Sequence, residues 1–195
     1  MRWIAVAALL SIVTAPAAAY QSTDCVEQIH SAALRHNVPP LLLYAIAEVE
    51  SGQPLKKGQL DHVVVNKAAR RPHAWSANVA GESMVFSSAD AAISAVRSAQ
   101  RRGVRSIDVG CMQVNLKHHP EAFRDLGMAF DPAANADYAA SFLARLYWET
   151  GSWALATGRY HAGSAAAPAA WPYACRVVAR MRAYGIYFPS SCDTR

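Results

Sequence analysis

Beyond its N-terminal segment the chain has no apolar run long enough to cross a membrane, which argues against a membrane-spanning body. It lacks CxxC and CxxH spacings, so its cysteines give poor support for zinc. His118-His119-Pro120-Glu121 does not repair that, because adjacent histidines rarely ligate one ion and no third ligand follows at a recognised spacing. There is no Gly-x-Ser-x-Gly elbow and no Walker loop, which leaves serine-hydrolase and nucleotide chemistry unsupported. Heptads and internal repeats are absent as well. Charge is sparse: Asp, Glu, Lys and Arg make up 17% of residues, with a formal net charge of +5. That mild basicity suits an anionic polymer or surface and falls well short of a nucleic-acid signature. No metal and no cofactor is expected.

What is present begins with an export signal. Arg2 supplies the positive start, Trp3 to Val13 an apolar stretch, and Pro16-Ala17-Ala18-Ala19 a small-residue cleavage site. The expected division is a signal peptide over 1–19 and one domain over 20–195, with no stable membrane insertion after cleavage. The four cysteines, Cys25, Cys111, Cys175 and Cys192, then fall in the exported part. An even count there predicts disulfides, with three pairings open, and makes the bacterial periplasm the natural compartment. Cys175–Cys192 is the pair nearest in sequence and would pin the tail; Cys25–Cys111 would then tie the first helix to the middle of the chain.

Periodicity predicts mostly helices. The first covers about 23–35, and the second begins at Pro39-Pro40 and stops at Gly52. From 53 to 71 the pattern disappears and a loop is expected. Ala74 to Phe86 reads as a β-hairpin around Ala80-Gly81-Glu82, followed by a helix capped by Ser88 and closed by Gly103. VRSIDVGCMQVNL after Gly103 resembles neither a long helix nor a buried strand. Asn135 is expected to cap a helix through Thr150, with Arg145 and Glu149 paired, and Ser152 to cap another to about Ala162. A last helix runs from about Pro172 to Tyr184. The fold class is mainly α (α+β), with one small inserted β-hairpin.

The apolar run LLLYAIA ends in two carboxylates, Glu48 and Glu50. On a helix, Leu43, Ile46, Ala47 and Glu50 share one face, whereas Glu48 lies about 200° from Glu50 and is assigned to solvent. Burial and the negative end of a helix dipole both disfavour a carboxylate's charged form. A core-facing glutamate at a helix end therefore suits a general acid. The alternative is an ion pair with one of the many arginines, for instance Arg101 or Arg102.

Four ordered segments, AIAEVESG, SIDVGCMQVN, NADYAASFLARL and GRYHAG, together resemble the lysozyme-like lytic transglycosylases with a soluble-transglycosylase-type domain, most closely the small exported kind. The family's Glu-Ser pair falls on Glu50 and Ser51. Its Gly-x-Met-Gln segment falls on Gly110, Met112 and Gln113, and its leading Asn on Asn135. Its Tyr-Asn-x-Gly segment falls on Tyr160, His161 and Gly163, so the usual Asn is His here. The stretch 53–103 is longer than the family's minimal spacing and reads as an insertion carrying the hairpin and a helix.

The resemblance implies a lysozyme-like fold and cleavage of the MurNAc–GlcNAc β-1,4 bond of peptidoglycan to 1,6-anhydro-MurNAc ends. Glu50 would be the sole acid and base, with Ser51, Gly110, Met112, Gln113, Tyr160 and His161 as substrate-binding candidates. Some small exported members are associated with secretion or conjugation machinery, so a secretion, conjugation or pilus apparatus joins peptidoglycan as an expected partner. Each residue also has a plainer role open to it: Met112 as core, Ser51 as a cap, Tyr160 as a packed aromatic, and Trp75, Trp148, Trp153 and Trp171 as core filling. Asp108 and Glu82 are the nearest approach to a second carboxylate. If either faced Glu50 across a cleft, a hydrolytic muramidase would gain ground, since ordinary glycosidases use two. A non-catalytic glycan-binding assembly protein is the third reading, and the intact Glu-Ser pair argues against it.

Overall fold

The computed structural model describes residues 24–54, 70–164, 166–186 and 192. The expected signal peptide over 1–19 lies outside the described residues, as does most of the loop expected over 53–71.

Among the described residues seven helices carry the fold. Helix α1 (Cys25–Arg35) starts at Asp24, whose side chain accepts from the backbone N–H of Val26, and buries Ile29, Ala32 and Ala33. Helix α2 (Pro40–Glu50) begins with proline at its first turn and ends at Ser51. Helix α3 (Ala89–Arg101) is capped by Ser88, and the short α4 (Leu126–Phe130) by Asp125. Helix α5 (Pro132–Thr150) is closed by Gly151 at φ +65°, and α6 (Trp153–Ala162) is capped by Ser152. Helix α7 (Ala170–Ala183) completes the set. The larger core joins α1, α2, α5, α6 and α7, with α2 central and buried continuously from Leu42 to Glu48.

The β elements divide into two small sheets. Strands β1 (Gln53–Pro54) and β2 (Arg70–Arg71) form an antiparallel pair beside the end of α2. Strands β3 (Ser76–Val79), β4 (Glu82–Val85), β5 (Ile107–Val109) and β6 (Val114–Asn115) form an antiparallel sheet in the order β4-β3-β5-β6. Ala80 at φ +52° and Gly81 at φ +96° make the tight hairpin turn, where two successive positive φ values match the twist of the strands. Beneath this sheet, Val79, Val96, Ile107, Val109 and Phe130 form a second, smaller core with α3 and α4.

Both disulfides named as candidates are present, Cys25–Cys111 and Cys175–Cys192, with Cα separations of 5.9 and 5.5 Å.

Several expectations need correction. Glu48 is not solvated but 1% exposed; its Oε1 accepts from the Arg70 N–H at 3.0 Å and from the Tyr184 hydroxyl at 2.7 Å. A two-faced wheel misplaces it because α2 is enclosed on nearly all sides. The segment after Gly103 contains β5, an interior strand whose Ile107 and Val109 are buried while Asp108 between them is not. Asp131, not Asn135, caps α5 by accepting from Ala134 N–H at 2.8 Å; Asn135 lies within the helix and is fully buried. Glu149 pairs with Arg159 of α6 at 2.8 Å, while Arg145 lies over the Phe142 ring. The hairpin of the 53–103 stretch extends the sheet that contains β5.

Candidate active site

The C-terminal end of α2 delivers Glu50 to a cleft of about 270 Å³. The cleft is lined by Asp108 of β5, Gln113, Asn115 of β6, His118 and His119 of the following loop, Tyr138 and Phe142 of α5, and Tyr160 and His161 of α6. The Glu50 side chain is 15% exposed. Its Oε1 accepts a 2.5 Å hydrogen bond from the Tyr173 hydroxyl of α7, and His161 Nδ1 lies 3.8 Å from the same oxygen. The His161 and Tyr173 rings stack face to face, centroids 4.2 Å apart. Among the described residues the ion-pair partner placed near Glu50 is His161, not Arg101 or Arg102.

The opposite wall depends on a turn at 110–113 that is gripped from several directions. Gly110 has φ +80°, and a Cβ there would come within 2.5 Å of Asn135 Nδ2, so any side chain would displace Asn135. Asn135 ties this turn to α4: Oδ1 accepts from Met112 N–H at 2.9 Å, and Nδ2 donates to the carbonyls of Val109 and, in α4, Ala129. Ser51 Oγ donates to the Cys111 carbonyl at 2.6 Å and accepts from His73 N–H at 3.2 Å. The Tyr160 hydroxyl donates to the Met112 carbonyl at 2.9 Å. Gln113 adopts φ +48°, and its Nε2 donates to the carbonyls of Gly110 and Ser76. The ladder of a buried loop is thus completed by side chains, as buried backbone requires.

Of the residues singled out from sequence, Glu50, Gln113, Tyr160 and His161 share the cleft. Ser51, Gly110 and Met112 stand behind its wall: Ser51 is 4% exposed and Met112 is fully buried, so neither offers a side chain to a ligand. Trp75 and Trp153 pack against the larger core and Trp148 is 83% exposed; none of these lines the cleft. Glu82 is exposed on the hairpin, whereas Asp108 lines the cleft, and its carboxylate accepts from Asn115 Nδ2 at 2.7 Å.

Sequence reasoning missed Tyr173, whose position on a mixed helix looks like ordinary core. The His118-His119 pair, weighed from sequence only as a metal site, lies on the loop after β6; both histidines line the cleft, and His119 Nδ1 shares a 2.8 Å hydrogen bond with the Tyr138 hydroxyl.

Burial governs the electrostatics. It pushes the Tyr160 and Tyr173 phenols well above their usual range, and the charge of Glu50 adds to the effect, so both stay neutral donors. Burial likewise raises the Asp108 carboxyl, against the hydrogen bond from Asn115, and lowers the His119 ring. Among the described residues no group of histidine, cysteine and carboxylate side chains is placed to hold a metal ion.

Tyr173→Phe removes the one hydroxyl donated to Glu50 without opening a cavity. A hydrogen bond to a charged group contributes about 1.5–3 kcal/mol, so turnover on saturating sacculi is expected to fall about tenfold or more. An unchanged rate would show that the bond is idle in the reaction.

No curated protein and no solved structure shows a significant match to the chain. The model of the transglycosylase SLT domain matches residues 66–171, over half of the sequence, and takes in the whole 110–113 turn together with Tyr160 and His161. Glu50 and Ser51 precede the matched stretch and join it through the cleft and the Ser51–Cys111 hydrogen bond. The chain therefore belongs to the transglycosylase SLT-domain family, lytic transglycosylases acting on peptidoglycan.

Proposed function

We propose that the enzyme cleaves the MurNAc–GlcNAc β-1,4 bond with Glu50 as both acid and base, leaving 1,6-anhydro-MurNAc ends. The observation that carries this reading is a mostly enclosed carboxyl at the cleft floor, held at Oε1 by a neutral phenol. The protonated carboxyl donates its proton to the glycosidic oxygen as the C1–O bond breaks. The resulting carboxylate then takes the proton of the C6 hydroxyl as O6 bonds to C1. One proton leaves Glu50 and one returns, and no water is consumed. Tyr173 keeps the carboxylate oriented between the two steps. Gln113, Tyr160 and His161 contact the glycan around it, while Ser51, Gly110 and Met112 set the shape of the wall.

The remaining parts of the reading concern place and partner. Two disulfides and a substrate outside the cytoplasm fit export by a signal peptide over 1–19, a mature domain over 20–195 and a periplasmic site of action. No helix among the described residues is long and apolar enough to span a membrane. Local opening of the wall for a secretion, conjugation or pilus apparatus is the role we assign to such a small exported enzyme.

Asp108 in the same cleft is the observation favouring water, rather than the C6 hydroxyl, as the acceptor. Mass spectrometry of fragments released from purified sacculi distinguishes the two. Anhydro ends are expected; reducing ends alone would replace this reading with hydrolysis.

A further inference from the structure

Asp108 is aimed into the cleft by an arrangement the reaction above does not use. Its strand neighbours Ile107 and Val109 are fully buried, which leaves Asp108 on the cleft side by simple alternation. Asn115, its register partner on β6, donates Nδ2 to the Asp108 carboxylate at 2.7 Å. The other end of that amide is fixed too, because Asn115 Oδ1 accepts from the N–H groups of Lys117 and His118 at 3.0 and 3.1 Å. A donor is therefore locked toward Asp108 and supports its ionised form against burial.

The shared cleft fits work on the same bond. Glu50 and Asp108 line one cleft of about 270 Å³, the two-carboxylate arrangement that ordinary glycosidases place around a glycosidic bond. Glu50 and Asp108 also feel each other, since the charge of Glu50 opposes ionisation of Asp108. When Glu50 gives up its proton, positive charge grows at C1, and the new Glu50 carboxylate is then committed to the C6 hydroxyl. A second fixed anion in a partly desolvated cleft stabilises that charge without reorganising.

We propose that Asp108 is a second functional carboxylate, acting on the positive charge that develops at C1 rather than on a proton. The inference rests on the reading of Glu50 as acid and base. The groups facing Asp108 are Glu50 from α2, His161 from α6, and His118 and His119 from the loop after β6. Tyr138 and Tyr160 complete the lining as phenols whose ionisation is pushed upward.

The test compares wild type, Asp108→Asn and Asn115→Ala on purified sacculi across pH, with near-UV circular dichroism confirming the fold. Asp108→Asn keeps the shape and an acceptor for Asn115 but removes the charge. Its kcat is expected to fall about 10²-fold, with KM changed less than about threefold and the type of end released unchanged. Wild-type activity falls at low pH as Asp108 protonates, and that acid limb disappears in Asp108→Asn. In Asn115→Ala, loss of the supporting donor moves the acid limb to higher pH. A kcat for Asp108→Asn within about twofold of wild type overturns the proposal. An acid limb unmoved in Asn115→Ala does the same, as does a switch in the ends released at constant total rate. If Glu50→Gln is inactive while Asp108→Asn behaves as wild type, this inference alone fails. An active Glu50→Gln removes the reading beneath it.

Discussion

Glu50→Gln lowers release of fragments from purified sacculi by about 10³-fold, within the roughly 10²–10⁴ that a positioned acid and base supplies. The amide is nearly isosteric, and its carbonyl still accepts from the Tyr173 hydroxyl that now lies 2.5 Å from Oε1. Binding should persist, because the glycan-facing groups on the cleft walls are untouched. What the amide cannot do is protonate the leaving oxygen or receive the C6 proton. The loss therefore falls on kcat, with KM nearly unchanged. The measurement is initial rate against sacculus concentration, with thermal unfolding as the control for fold. A variant retaining more than about a tenth of wild-type turnover would remove Glu50 from the reaction, whatever its position.

The second large effect concerns stability. Replacing Cys25 and Cys111 together by alanine is expected to cost about 4 kcal/mol, because their disulfide closes a loop 86 residues apart in sequence. Cys175–Cys192 closes only 17 and should contribute less, about 3 kcal/mol. The first bond also joins α1 to the turn between Gly110 and Gln113, and both its cysteines are buried. Its loss leaves small voids and slackens the wall opposite Glu50, so activity should decline before the protein unfolds. Urea unfolding of the double alanine variant against wild type gives the number. A difference below about 1 kcal/mol would mean that the unfolded chain gains little freedom when this link is cut.

The sequence made the skeleton of this fold readable where local chemistry acts alone. Ser88 and Ser152 cap the helices expected of them, and Ala80-Gly81 turns the expected hairpin. Glu50 was found by helical spacing because its face is the one α2 turns toward the cleft. The same spacing misplaced Glu48, since α2 is covered by α1 and α7 and Arg70 of β2 closes over Glu48 itself; the apolar run LLLYAIA carried that warning. Asn135 misled for a different reason. Asp131 four residues earlier took the cap, which freed Asn135 to bind a turn 23 residues away. Tyr173 became visible only in three dimensions, because its partner Glu50 is 123 residues distant; Asp108 was named beside Glu82, and only the cleft closed by α5 and α6 tells the two apart.

The two cores touch through Trp75 and Phe123, which pack against both, and the chain passes from one to the other at Gly110. Val109 belongs to the small core under the sheet, Cys111 and Met112 to the large helical one, and Gly110 stands between them. Glu50 is mounted on the helix central to the large core and Asp108 on a strand of the small one, so the gap between the two acids depends on how the two cores pack together. Damage to the small core, for example at Val96 or Ile107, would thus act as a change of aperture: an intact acid, correctly held, facing a wall that no longer stands at the right distance.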